Sequence, residues 1–212
     1  MLVNDKNEAN QAENHILHPG SRALFRFWEG IRAERAAPAR DDLDLQQIRA
    51  LVPNLFMLER DHIRQTFKWR LAGTRTCELF RQELTGKDAL AGWDNFEAAT
   101  IKRLFDGVVT SLQPCLVRFR LNTTLGQMIG AELIGLPLQA RKDVRIHVFG
   151  GIFPFRDIDN LGYDGISSLE LSGARAIWTE HLPGDRLVEG LRARKCALQD
   201  HSGRPQLNFR RS

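Results

Sequence analysis

The chain has 212 residues, 42% of them hydrophobic and 8% aromatic, a composition that fills one core with appendages and leaves no room for two large domains. Three cysteines, Cys77, Cys115 and Cys196, form no C-x-x-C pair and always leave one over, which speaks against a disulfide framework or a structural zinc site. Net charge is +4, but seven Lys and Arg against two acids after residue 185 leave the first 185 residues at −1, so basicity is a property of the tail rather than a nucleic-acid signature of the folded part.

Residues 1–20 carry few large apolar groups before Ile16 and Leu17 and read as a flexible lead-in. Their mixed charges do not fit a secretory leader, and no apolar run approaches the ~18 residues of a membrane span, so a cytoplasmic protein is expected. Ser21 is a plausible N-cap for a helix to about Arg35, in which Leu24, Phe27, Trp28 and Ile31 fall at i, i+3, i+4 and i+7 and share a face. A turn around Pro38 follows. Asp44 then caps a short helix, with Ile48, Leu51 and Val52 inward, that stops before Pro53.

The period then changes from 3.6 to 2. Leu55–Glu59 and Phe67–Leu71 read as a hairpin across the polar turn at residues 61–65, with Phe67, Trp69 and Leu71 alternating against Lys68 and Arg70. Thr74 begins a short helix bearing Cys77, Leu79 and Phe80. Residues 94–113 are helical, with Phe96, Ile101, Leu104, Phe105, Val108 and Leu112 inward. Three strands follow, Cys115–Thr123, Met128–Leu138 and Val144–Phe153, joined by loops too short for helical crossovers. The fold class is therefore α+β, a five-stranded antiparallel sheet with helices inserted after the second strand and an N-terminal amphipathic helix. Residues 156–212 form a basic C-terminal extension, in which Ile166–Leu171 could add a strand and Leu187–Leu198 an amphipathic helix.

Several segments carry a resemblance in their order: Phe27-Trp28-Glu29, Arg35-x-x-Pro38-x-Arg40-x-Asp42, Leu51-Val52-Pro53-Asn54-Leu55-Phe56, Phe67-x-Trp69-Arg70-Leu71-Ala72-Gly73-Thr74, Leu84-Thr85-Gly86-Lys87, and Glu132-Leu133-x-x-Leu136-Pro137-Leu138. Together they resemble the PAS_5 subfamily of PAS domains, known from alphaproteobacteria, over roughly residues 22–155. The resemblance implies a bacterial sensory or protein-interaction module in signal transduction, with residues 21–155 as the PAS-like domain.

On that plan Phe67, Trp69 and Leu71 face the inserted helices, joined by Val117, Phe119, Leu121, Ile146 and Val148. The outer face shows Lys68, Arg70, Arg118 and Arg120 but also Phe149 and Phe153, and such a half-apolar face needs a cover. The helix stripe Leu24, Phe27, Trp28 and Ile31 supplies one, either on its own sheet or against a partner in a homodimer. A ligand site would lie inside, lined by Trp69, Leu71, Phe80, Phe105, Val109, Phe119 and Val148, unless these side chains fill the space themselves. No cofactor is assigned. Haem needs an axial ligand facing the pocket, and neither His62 in a turn nor His147, out of phase with Val148, is so aimed; the surroundings of Cys77 are not those of a flavin photosensor. Arg70 is read as pairing with Glu132 across the sheet, as anchoring the loop after its strand through Thr74 or Asp88, or as solvated. His15-x-x-His18 lacks a third metal ligand.

No nucleophile elbow, phosphate-binding loop, dinucleotide fingerprint or zinc-protease motif occurs, so the protein is read as a non-enzyme. The partner expected is a second copy or another protein, with a small ligand admitted. The alternative is a nucleic-acid-associated regulator using the basic tail around Arg192, Arg194 and Lys195, although no recognised DNA-binding motif accompanies it.

Overall fold

The computed structural model describes residues 13–61, 63–139, 147–159, 162 and 165–177. Helix α1 (Pro19–Arg32) leads through short 3-10 turns at Arg40–Asp42, Leu45–Ile48 and Val52–Asn54 into strands β1 (Leu55–Asp61) and β2 (Thr66–Ala72). Helices α2 (Thr74–Phe80) and α3 (Asn95–Thr110) follow, then β3 (Cys115–Thr123), β4 (Met128–Pro137), β5 (His147–Pro154) and β6 (Ile166–Ala176). All neighbours in the sheet are antiparallel, in the order β2-β1-β5-β4-β3-β6.

The turns have local causes. The Asp61 carboxylate accepts the N–H groups of Ile63 and Arg64, both at 3.0 Å, and pairs with Lys68 at 2.7 Å. The Lys68 ammonium and those amides hold its carboxyl down to about 2. Asp94 accepts the Glu97 N–H at 2.8 Å and starts α3. In β5, an added Cβ on Gly150 would meet the Ile134 carbonyl and the Phe56 ring, so only glycine lets β1 and β4 close on that strand.

The sheet separates two apolar layers. Inside, Phe56, Phe67, Phe105, Phe119 and Ile152 pack with α2 and α3. Outside, Leu24, Phe25 and Trp28 of α1 pack on Met57, Leu116, Ile134, Leu136, Phe149 and Phe153. The helix covers its own sheet, one of the two placements that the stripe allowed.

Among the described residues six strands stand where five are expected. β6 runs to Ala176, five residues past the expected Leu171, and pairs with the edge of β3. The face of α1 also differs: Ser21, Leu24, Phe25, Trp28 and Arg32 are buried, while Phe27 and Ile31 lie half-buried on its flank. The N-cap is His18 rather than Ser21, because Pro19 suits the first helical position and His18 Nδ1 accepts the Gly20 N–H at 3.0 Å. Phe96, expected inward, is 75% exposed in the first turn of α3.

Leu71 is the largest departure. A β-bulge sets Leu58 opposite Trp69 and Met57 opposite Leu71, leaving Arg70 as the extra residue. Trp69 stays inside with Leu58, and Leu71 is turned to the outer side of an end strand, 53% exposed. Arg70 also cannot reach Glu132, since β1 and β5 lie between β2 and β4. It stands 4.0 Å from Glu59 instead.

Cys115 is buried in β3, and burial pushes its thiol up to about 12. Alkylation of the native protein at neutral pH is therefore expected to leave Cys115 unmodified while half-buried Cys77 reacts; peptide mapping that finds equal labelling of both would contradict the packing of β3.

Candidate functional site

Between the inner sheet face and the helices lies a cavity of about 110 Å³. Its floor is Leu58, Val117, Leu133 and Ile152 of the sheet. Aromatic rings form its sides: Trp93 meets Phe119 edge-on at 5.3 Å, Phe80 stands 6.2 Å from Trp69 and 6.5 Å from Phe119, and Phe67 meets Phe105 at 5.4 Å behind the wall. Such edge-to-face, tilted and stacked pairs hold one another in fixed orientation. The rim carries Gln82, Lys87 and Asp88, all exposed.

One wall is a segment rather than a regular element. Residues 84–89 run along β2, where the Trp69 N–H donates to the Lys87 carbonyl at 3.0 Å, the Gly86 N–H to Trp69 at 2.7 Å, and the Ala89 N–H to Phe67 at 2.7 Å. The Thr66 hydroxyl donates to Asp88 at 2.8 Å. Leu84 and Ala89 are thereby pressed inward, and the outward edge of β2 is covered.

Of the residues expected to line a ligand site, Trp69, Phe80, Phe105 and Phe119 surround the cavity. Val148 and Val109 belong to the inner core but stand back from the space, and Leu71 faces away from it. Cys77 is likewise off the lining. The sequence reading missed Trp93, Ile101 and Leu169, which reach the cavity from the α2–α3 connection, α3 and β6. A space of this size is below the roughly 300–1,000 Å³ of drug-sized ligand sites, so a haem or flavin would require its walls to move. A larger cleft of about 460 Å³ lies beside β1 and β2, but it is walled by Glu59, Arg60, Asp61 and Lys68 and lies open.

The opposite face carries an unexpected polar centre. Glu132, fully buried in β4, accepts the Leu17 N–H at 3.1 Å, the His18 N–H at 2.9 Å and Arg118 Nε at 2.9 Å. Arg118 also donates to the His15 carbonyl. Ile16 is wholly buried beside them. Residues 13–18, assigned by sequence to the lead-in, are thus seated on the sheet by a buried carboxylate. A buried charge persists only when so paired.

His18 stacks on Phe153 at 5.2 Å, and burial lowers its pKa from the ordinary 6.5, with the Glu132 charge and a bond to the Pro154 carbonyl acting in the opposite sense. The folded state therefore binds fewer protons here than the unfolded chain. Its contribution is complete above pH 6.5 and declines as pH falls through that value toward the lowered folded one. A His18→Gln variant is expected to show a flatter dependence of Tm on pH below 6.5; an unchanged slope would place the titration elsewhere.

Of the stripe proposed as a partner interface, Leu24 and Trp28 are buried within the chain, while half-buried Phe27 and Ile31 keep exposed edges. Among the described residues no three metal-ligating side chains gather, and no helix is long and apolar enough to cross a membrane. His62, the His147 side chain, Ile146, Cys196 and the basic tail with Arg192, Arg194 and Lys195 lie outside the described residues.

No curated protein matches the chain. Among solved structures, it is similar to the LOV protein of Rhodobacter sphaeroides, with 14% identity, a TM-score of 0.39, and coverage of 56% of this chain and 72% of that one. A point variant of RsLOV gives 16%, 0.38, 56% and 73%, and its d2 variant 19%, 0.36, 55% and 69%. The PAS_5 model of the PAS domain matches residues 16–153, a span from the buried Ile16 to Phe153 in β5 that holds the polar centre at Glu132 and most of the cavity wall, and the chain belongs to that PAS family.

Proposed function

We propose that the protein is a non-catalytic sensory and regulatory module that acts by protein–protein interaction and is gated by a small ligand in the inner cavity. One observation carries this reading: the same strands form the cavity floor and hold the N-terminal segment. Leu58, Leu133 and Ile152 line the cavity, and their immediate neighbours Met57, Glu132 and Phe153 carry α1 and residues 15–18 on the other face. A change in packing at the floor has only one strand thickness to cross.

Trp69, Phe80, Phe105 and Phe119 are the ligand contacts on this reading, and Phe27 and Ile31 the exposed part of the interface. The protein works in a bacterial cytoplasm as a homodimer or with another protein. A ligand shifts such a switch only by its differential affinity for the two states, about 10⁴-fold for a full reversal.

Mass spectrometry of denatured extracts should release a small molecule, and loaded and stripped protein should differ in amide exchange at Leu17 and His18. Identical exchange in the two forms, with an unchanged native mass and partner affinity, would overturn the gating.

A further inference from the structure

Resting on that reading, we infer that the inner cavity selects a neutral molecule built on a single aromatic ring, with at most one polar substituent directed at the rim. Volume sets the first limit. A cavity of roughly 150 Å³ lined by Leu, Ile and Phe takes benzene. At about 110 Å³, with an exposed rim, this space accepts one six-membered ring and rejects two fused ones.

The walls set the second. Trp69, Phe80, Trp93, Phe105 and Phe119 line the space, paired with one another edge-on, tilted and stacked, so an arene finds aromatic partners that a saturated ring of equal size does not. Each well-made ring pair is worth roughly two- to tenfold in affinity.

Charge sets the third. Among the described residues the charged groups that line the cavity are Lys87 and Asp88, adjacent in sequence and of opposite sign, both at the rim. Lys87 Nζ already donates to Gln82 Oε1 at 2.6 Å, and Asp88 Oδ1 accepts from the Thr66 hydroxyl at 2.8 Å and the Leu90 N–H at 2.9 Å. A carboxylate or an ammonium on the ligand would find the rim group of opposite charge already engaged in these bonds. Deeper in, nothing pairs with either, and an unpaired ion is driven back to water. A hydroxyl suits the rim, since Gln82 and Asp88 accept and Lys87 donates.

The test uses the full chain with fluorophenol and fluorobenzoate, read by fluorine NMR and thermal shift, and with cyclohexanol and naphthol, read by thermal shift and by displacement of fluorophenol. Fluorophenol should bind and raise Tm, with fluorobenzoate weaker by about tenfold or more. Cyclohexanol should also be weaker. Naphthol should be excluded by the native protein but admitted by Leu133→Ala, which enlarges the floor. That gain cannot come from a protein that has failed to fold.

Equal binding of benzoate or cyclohexanol, or of naphthol to the native chain, overturns the ligand class and leaves the gating intact. Binding in the expected order without altered exchange at Leu17 and His18 upholds the ligand class and removes the gating. Failure of every probe with both proteins removes the cavity as a binding site and the proposed function with it.

Discussion

Glu132→Ala is expected to destabilise the protein by about 3–5 kcal/mol, the range for removing one partner of a buried ion pair. The carboxylate is completely covered, whereas the side chain of Arg118 keeps 30% of its exposure, which moves the guanidinium part of the loss toward the low end. The two N–H groups of Leu17 and His18 also lose their acceptor, and each buried donor left unmet costs about 1–3 kcal/mol unless residues 13–18 lift away to reach water. The second course follows if the segment is free to move. Denaturant unfolding should show the loss, and exchange at Leu17 and His18 should accelerate far more than exchange in β4. Glu132→Gln retains one acceptor oxygen and is expected to lose less. If alanine costs under about 1 kcal/mol and both amides stay protected, the carboxylate is not what seats the segment.

Trp28→Ala should cost a comparable amount, about 3–5 kcal/mol. The indole has no exposure, donates Nε1–H to the Pro137 carbonyl at 2.8 Å and lies 5.3 Å beneath the Arg32 guanidinium. Arg32 is itself fixed by the Glu29 carboxylate at 2.7 and 2.9 Å and by the Arg35 carbonyl at 2.9 Å. Removing the ring thus empties the space over β4 and β5 and unseats the end of α1. Trp28→Phe keeps most of the volume and loses the hydrogen bond, for which about 1–3 kcal/mol is expected. Equilibrium denaturation separates the two variants. Equal losses would mean that the hydrogen bond, not the packing, holds the helix.

Local pattern was enough to read the antiparallel sheet and the helices inserted after its second strand, which follow from spacing within a dozen residues; the PAS-like plan then set Trp69, Phe80, Phe105 and Phe119 between them. What escaped depends on distant partners. In α1 the apolar residues Leu24, Phe25, Phe27, Trp28 and Ile31 span an arc of roughly 160° with Phe25 and Phe27 at its two edges, so periodicity could not choose Phe25 over Phe27; packing on the outer face did. The bulge that turns Leu71 outward leaves no mark in an alternating strand. Glu132 reads as an outward polar residue of β4. Its burial is imposed by residues more than a hundred positions earlier. Trp93 reaches the cavity from a connection without clear period, and Leu169 from β6, whose place beside β3 only the closed fold sets.

Because β1, β4 and β5 are roofed on both sides, none of them has a water-facing register in its middle, and they read as unbroken apolar runs such as Leu55-Phe56-Met57-Leu58 and Leu133-Ile134-Gly135-Leu136. Mutational drift in this protein is therefore channelled to the rims. β2 and β6 can exchange one polar side chain for another at little cost, whereas in the middle strands the alternation rule that lets ordinary antiparallel sheets vary every second position does not operate. A homologue with charged residues placed within those apolar runs, other than at the position of Glu132, would have to have lost its N-terminal cover.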